Sequence, residues 1–122
     1  MITIAVVATT VFSGTAHPSQ RAAAVAAASE GLSFWLGVIP QSQLSHYGFS
    51  DVGEFERASL GDPVHVYMIR PDKILNFAGE DLSSMISTMG HDTWLFPIVS
   101  GNRYRCLLQV TEMDGVMKAI GI

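Results

Sequence analysis

The last thirty residues, Thr93 to Ile122, read TWLFPIVSGNRYRCLLQVTEMDGVMKAIGI. Three apolar or alternating runs are separated by Ser100-Gly101-Asn102 and Met113-Asp114-Gly115. Short runs joined by tight, glycine-containing turns are the local signature of an antiparallel meander. In the middle run, alternation sets Tyr104, Cys106, Leu108 and Val110 toward the core and Arg103, Arg105, Leu107 and Gln109 toward water. Pro97 cannot donate to a ladder, so the first run is expected to lie at an edge or to carry a bulge.

Upstream of the meander the pattern turns helical. Pro18-Ser19 opens an alanine-rich stretch from Gln20 to about Val38, with Ser19 as the expected N-cap. Val25, Ala28, Leu32 and Trp35 or Leu36 recur at three and four residues and draw one apolar stripe. The small alanines on it imply close approach to a sheet. Gly37 and Pro40 end the helix. A connector follows, with a helical turn expected at 41–46 and the aromatics Tyr47 and Phe49 placed to cover the sheet or present a contact surface. Ser50 is expected to cap a second helix over 51–60. Val64 to Arg70 reads as a strand whose core face is Val64, Val66 and Met68, with His65 and Tyr67 on the other face. Lys73 to Phe77 reads as a brief strand and Ser83 to Thr88 as a helical turn.

Helices first and strands later predict an α+β fold. An N-terminal helix packs on one face of an antiparallel sheet of about four strands that ends in a three-stranded meander. At 122 residues, 48% hydrophobic and 15% charged, the chain is long enough to bury a core as one domain, over residues 17–122. A single cysteine, Cys106, rules out an internal disulfide, and its phase among apolar neighbours makes it an inert core thiol.

Residues 1–16 carry two readings. Ile2 to Phe12 is uncharged and too short to span a bilayer, and Ser13-Gly14-Thr15-Ala16 supplies the small residues a signal peptidase needs. That layout predicts a signal peptide and a periplasmic or secreted bacterial protein, with no membrane span in the mature chain. The missing basic residue ahead of the run and its β-branched composition favour the other reading, a buried strand in a cytoplasmic protein.

The net charge of −4, from seven basic and eleven acidic residues, provides no footprint for nucleic acid. The four histidines, His17, His46, His65 and His91, lack metal-ligand spacing, and no phosphate-binding or nucleophile-elbow motif occurs. Neither metal nor cofactor is expected. His91-Asp92 is the most tempting local pair for acid–base work, set against simple turn chemistry at Asp92. Arg103 and Arg105 share a strand face and could clamp an anion. His65 and Tyr67 could border a pocket.

The leading functional expectation is therefore a small exported domain without catalysis. It would bind a partner protein or small ligand on an open sheet face, through Arg103, Arg105, His65 and Tyr67. The alternatives are a small hydrolase or isomerase using His91 and Asp92, and a structural or regulatory module of a longer chain.

Overall fold

The computed structural model describes residues 18–79, 81–87 and 92–122. The run at 2–12, the small-residue stretch at 13–16 and His91 lie outside them. The first element, α1 (Pro18–Gly37), occupies the alanine-rich stretch. Pro18 is already helical, so Ser19 lies inside the first turn and is not the cap. The buried face of α1 is Ala24, Ala27 and Ala28, with Val25, Leu32, Trp35 and Leu36 partly buried beside it. These small side chains let the helix settle close to the sheet. At Gly31 contact is so tight that a Cβ would collide with that of Ala119. One turn on, Trp35 Nε1 donates to the Ala119 carbonyl at 3.0 Å.

The connector forms a 3-10 turn over Gln41–Tyr47 and puts Leu44 and Phe49 into the core. Next comes α2 (Val52–Glu56), half the expected length. Its cap is Asp51, not Ser50: the Asp51 carboxylate accepts the Glu54 N–H at 2.8 Å, and Glu54 reaches back to the Ser50 N–H at 2.7 Å. This reciprocal arrangement satisfies two donors at the helix start. The end of the expected helix is instead β1 (Ser59–Leu60).

The expected strand over 64–70 breaks at Tyr67 into β2 (Val64–Val66) and β3 (Met68–Ile69). The segment expected as a further strand is a short helix, α3 (Pro71–Leu75). Pro71 fills its first turn, where no intrahelical donor is needed. A 3-10 turn at Leu82–Met85 leads into β4 (Ile86–Ser87), which pairs with β3 as a two-stranded ribbon.

The meander is present as β5 (Thr93–Ser100), β6 (Arg103–Met113) and β7 (Val116–Gly121). Its turns close on Ser100–Arg103 and Met113–Val116, with Asn102 and Asp114 at φ 59° and 53° beside Gly101 and Gly115. Positive φ at both central residues matches the twist of a two-residue hairpin. The main sheet is antiparallel with five strands: β1, β5, β6 and β7 in order, and β2 also pairing with β5. The fold is thus the expected α+β arrangement of one long helix on an antiparallel sheet.

Pro97 does not mark an edge, because β5 is flanked on both sides. β2 pairs with 93–95 and β1 with 98–99, so Pro97 falls at the join between them. Its carbonyl accepts the Gly61 N–H at 2.7 Å. The nitrogen and carbonyl of a strand residue point to the same flank, so the missing N–H faces this join. One residue on, the ladder shifts: Ile98 pairs with Cys106 and Val99 with Tyr104, leaving Arg105 as the extra residue of a bulge.

Two phase expectations fail for definite reasons. The bulge reverses alternation at the start of β6, so Tyr104 is 80% exposed while Leu108 and Val110 are fully buried. In β2, His65 pairs with Trp94 and Val64 with Leu95. Paired residues share a face. Trp94 is core, so His65 turns inward and Val64 outward.

Candidate functional site

The covered face of the sheet holds Trp94, Phe96, Ile98, Leu108 and Val110, packed under α1 and the connector. The residues between them form the other face. Along β5 these are Thr93, Leu95, Pro97 and Val99; along β6 they are Tyr104, Leu107, Gln109, Thr111 and Met113. Val64 on β2 and Val116 and Lys118 on β7 continue it by their pairing. None of these residues is buried. Leu107 is 49% exposed and Val64 57%. Among the described strand residues on this side, Lys118 alone is charged. Its polar groups are partly paired with one another: Thr93 and Thr111 hydroxyls lie 3.2 Å apart, and Gln109 Nε2 donates to Thr111 at 3.3 Å. The result, among the described residues, is an uncovered and largely apolar sheet face.

The four residues first expected to bind do not converge on that surface. Arg105, turned by the bulge, is enclosed. Its Nε donates to the Ser100 carbonyl at 3.1 Å, Nη1 to the Gly48 carbonyl at 3.0 Å, and Nη2 pairs with Glu54 Oε1 at 2.5 Å. Gly48 adopts φ +88°, and a Cβ there would lie 2.5 Å from the Arg105 carbonyl oxygen, so the connector passes directly over the bulge. The guanidinium is spent on tying the connector and α2 to the sheet. The Ser50 N–H, helped by Arg105, holds the Glu54 carboxyl below the usual carboxylate range. Arg103 is exposed at the hairpin, opposite Ser100 and on the covered side of the sheet.

His65 sits beneath the surface. Its Nε2 lies 2.8 Å from Asp92 Oδ1, with the two side chains 9% and 4% exposed. The ring stacks on Trp94 at 4.3 Å, and Tyr67 meets it edge-on at 4.4 Å. Asp92 thus has a histidine partner, and that histidine is His65; His91 lies outside the described residues. Among the described residues, His65 Nδ1, Asp92 Oδ2 and Trp94 Nε1 are buried without hydrogen-bond partners. A general base must be reached by its substrate. This pair is enclosed, and what it does geometrically is fasten β2 to the entry of β5. Cys106 is half-buried, and burial pushes its thiol pKa up.

A cleft of about 310 Å³ lies between α1 and β7, with Glu30, Phe34, Trp35, Met117 and Lys118 among its walls. Trp35 already occupies the outward carbonyl of Ala119 there, which blunts the free edge of β7.

No family model, curated protein or solved structure matches this chain.

Among the described residues, no group of three or more His, Cys, Asp or Glu side chains could hold a metal ion, and no helix is long and apolar enough to cross a membrane.

The residues that make up the open face were missed in the sequence, although a signal was there. TWLFPIV is apolar in both phases, Trp94, Phe96 and Ile98 on one and Leu95, Pro97 and Val99 on the other. A strand with one wet face alternates, and one apolar on both faces asks for cover on both.

Proposed function

We propose that this chain is a binding module without catalysis whose open sheet face receives a protein partner. One observation carries the reading: the face running from Val64 through Leu95, Pro97 and Leu107 to Val116 is apolar and uncovered among the described residues. Contiguous exposed apolar surface of this kind marks interaction sites. A protein suits it better than a small ligand, because a sheet face has no walls to enclose a molecule. The tying of Arg105 and the enclosure of His65 support a structural use for both, which leaves the face as the working surface. The small-residue stretch after the apolar N-terminal run supports export to the periplasm or medium.

The test is site-directed photo-crosslinking in the source cells. A benzophenone amino acid at position 107 is expected to yield one discrete adduct, and the same group at exposed position 26 on α1 none. Equal labelling from both positions, or none from 107, refutes the reading. Sequencing the isolated protein tests export separately: a first residue of His17 is expected, and a retained Ile2–Phe12 segment refutes it.

A further inference from the structure

We infer that the occupant of the open face is a second copy of this chain, packed face to face about a two-fold axis. The inference rests on the reading just given and names the partner.

The first support is area. The exposed portions of Val64, Tyr104, Leu107, Met113 and Val116 amount to roughly 600 Å² per copy, against about 800 Å² per partner in a stable interface of standard size. The second is charge. A partner of a different kind is usually selected by complementary charges, and this face offers none within it. Lys118 alone stands at one end, beside the β6–β7 hairpin. A two-fold axis in the interface plane and perpendicular to the strands sends the two Lys118 side chains to opposite ends. The apolar middle of each copy, Leu95, Pro97 and Leu107, then meets its own image. Such an isologous contact needs only that the patch complement itself, and two sheets packed this way form a sandwich about 10 Å thick. The third is composition. Tyr104, at 80% exposure, is the residue type that anchors interfaces, and its polar tip can remain at the rim.

Sedimentation of the purified chain over about 1–100 µM tests this, a range that begins at the weak end of the affinities such areas support and so populates the dimer if it forms. Wild type is expected to reach twice the 13.2 kDa of one chain. Leu107→Asp, checked for intact fold by circular dichroism, is expected to weaken association about 100-fold, since it buries an unpaired charge at the centre. Tyr104→Glu serves as a second variant at the periphery with a smaller effect in the same direction. Phe34→Asp, on the exposed side of α1, is expected to leave association unchanged. A wild type that stays at 13.2 kDa at about 100 µM overturns the inference, whether residues 1–17 or another protein takes the face. So does Leu107→Asp associating like wild type, or Phe34→Asp abolishing the dimer. The crosslink at 107 separates the two claims: an adduct of a mass other than twice the chain sinks the second copy and leaves the binding face standing, whereas no adduct sinks both.

Discussion

Replacing Gly31 by alanine should destabilise this protein, against the ordinary rule for helices. In an exposed helix interior, Gly→Ala gains about 1 kcal/mol from reduced backbone freedom and better propensity. At Gly31 the added methyl runs into Ala119 Cβ, a group with no rotamer to yield. Helix and strand must then separate locally, and overpacking of this kind costs about 1–3 kcal/mol. The separation also stretches the Trp35 Nε1–Ala119 O bond, worth about 1 kcal/mol. The balance is a net loss of about 1–3 kcal/mol, or roughly 4–12 °C in Tm for a domain near this size. Urea denaturation of Gly31→Ala, Ala119→Gly and the double variant makes the test specific. The double variant should recover about 1 kcal/mol relative to the sum of the singles, because each removes the other's clash. A Gly31→Ala protein more stable than wild type refutes the close helix–strand approach on which the whole covered face depends.

Arg105→Ala should cost about 2–4 kcal/mol, because it leaves two carbonyls and a carboxylate without their donor. Arg105→Lys should recover less than half of that, since an ammonium cannot serve three acceptors in a plane. The same assay against pH has a defined sign: Glu54 titrates below its unfolded value, so its contribution is full above the ordinary carboxylate pKa and is lost as pH falls through the folded one. Glu54→Gln should flatten that acid limb, and an unchanged limb would discount the tether. His65→Ala should cost about 3–5 kcal/mol, as it strands the Asp92 carboxylate and removes the stack on Trp94; a loss under about 1 kcal/mol in denaturation would show the pair to be incidental. Leu107→Lys and Leu108→Lys, one residue apart, should differ sharply in the stability of the single chain. The first should shift it by no more than about 0.5 kcal/mol and the second should abolish folding, and similar values for both would invert the face assignment.

The long-range plan was legible where the code is local. Alanine content and three-four spacing are enough to mark α1, and turn residues at fixed offsets are enough to mark the meander. What escaped was set by pairing across the chain. Nothing near Arg105 announces that two β6 residues oppose one on β5, yet that extra residue moves Tyr104 outward and the guanidinium inward. His65 lay in a run whose more apolar phase, Val64, Val66 and Met68, pointed to the wrong core face, and its side was decided by register with Trp94, twenty-nine residues away. At 71–75 a proline followed by aspartate was a helix-start signal that read equally well as a turn. The site expectation rested on polar residues, whereas the sheet face left uncovered by the described residues is largely apolar.

That surface follows from what one helix can cover. Twenty residues of α1 make a rod about 30 Å long and about 10 Å wide, the width of about two strand spacings. It lies along β7 and β6. The connector, held down by Arg105 and carrying Leu44 and Phe49, fills the covered side toward the other flank. α3 is only five residues long and has no buried side chain. The described residues therefore contain one layer of cover for a sheet whose central strand is apolar on two faces. Leu95, Pro97 and Val99 are as fitted to a dry contact as Trp94, Phe96 and Ile98, and β-branched and aliphatic residues in that phase gain nothing from water. A strand composed in this way makes physical sense when a second layer covers it, and the proposed second copy would supply that layer.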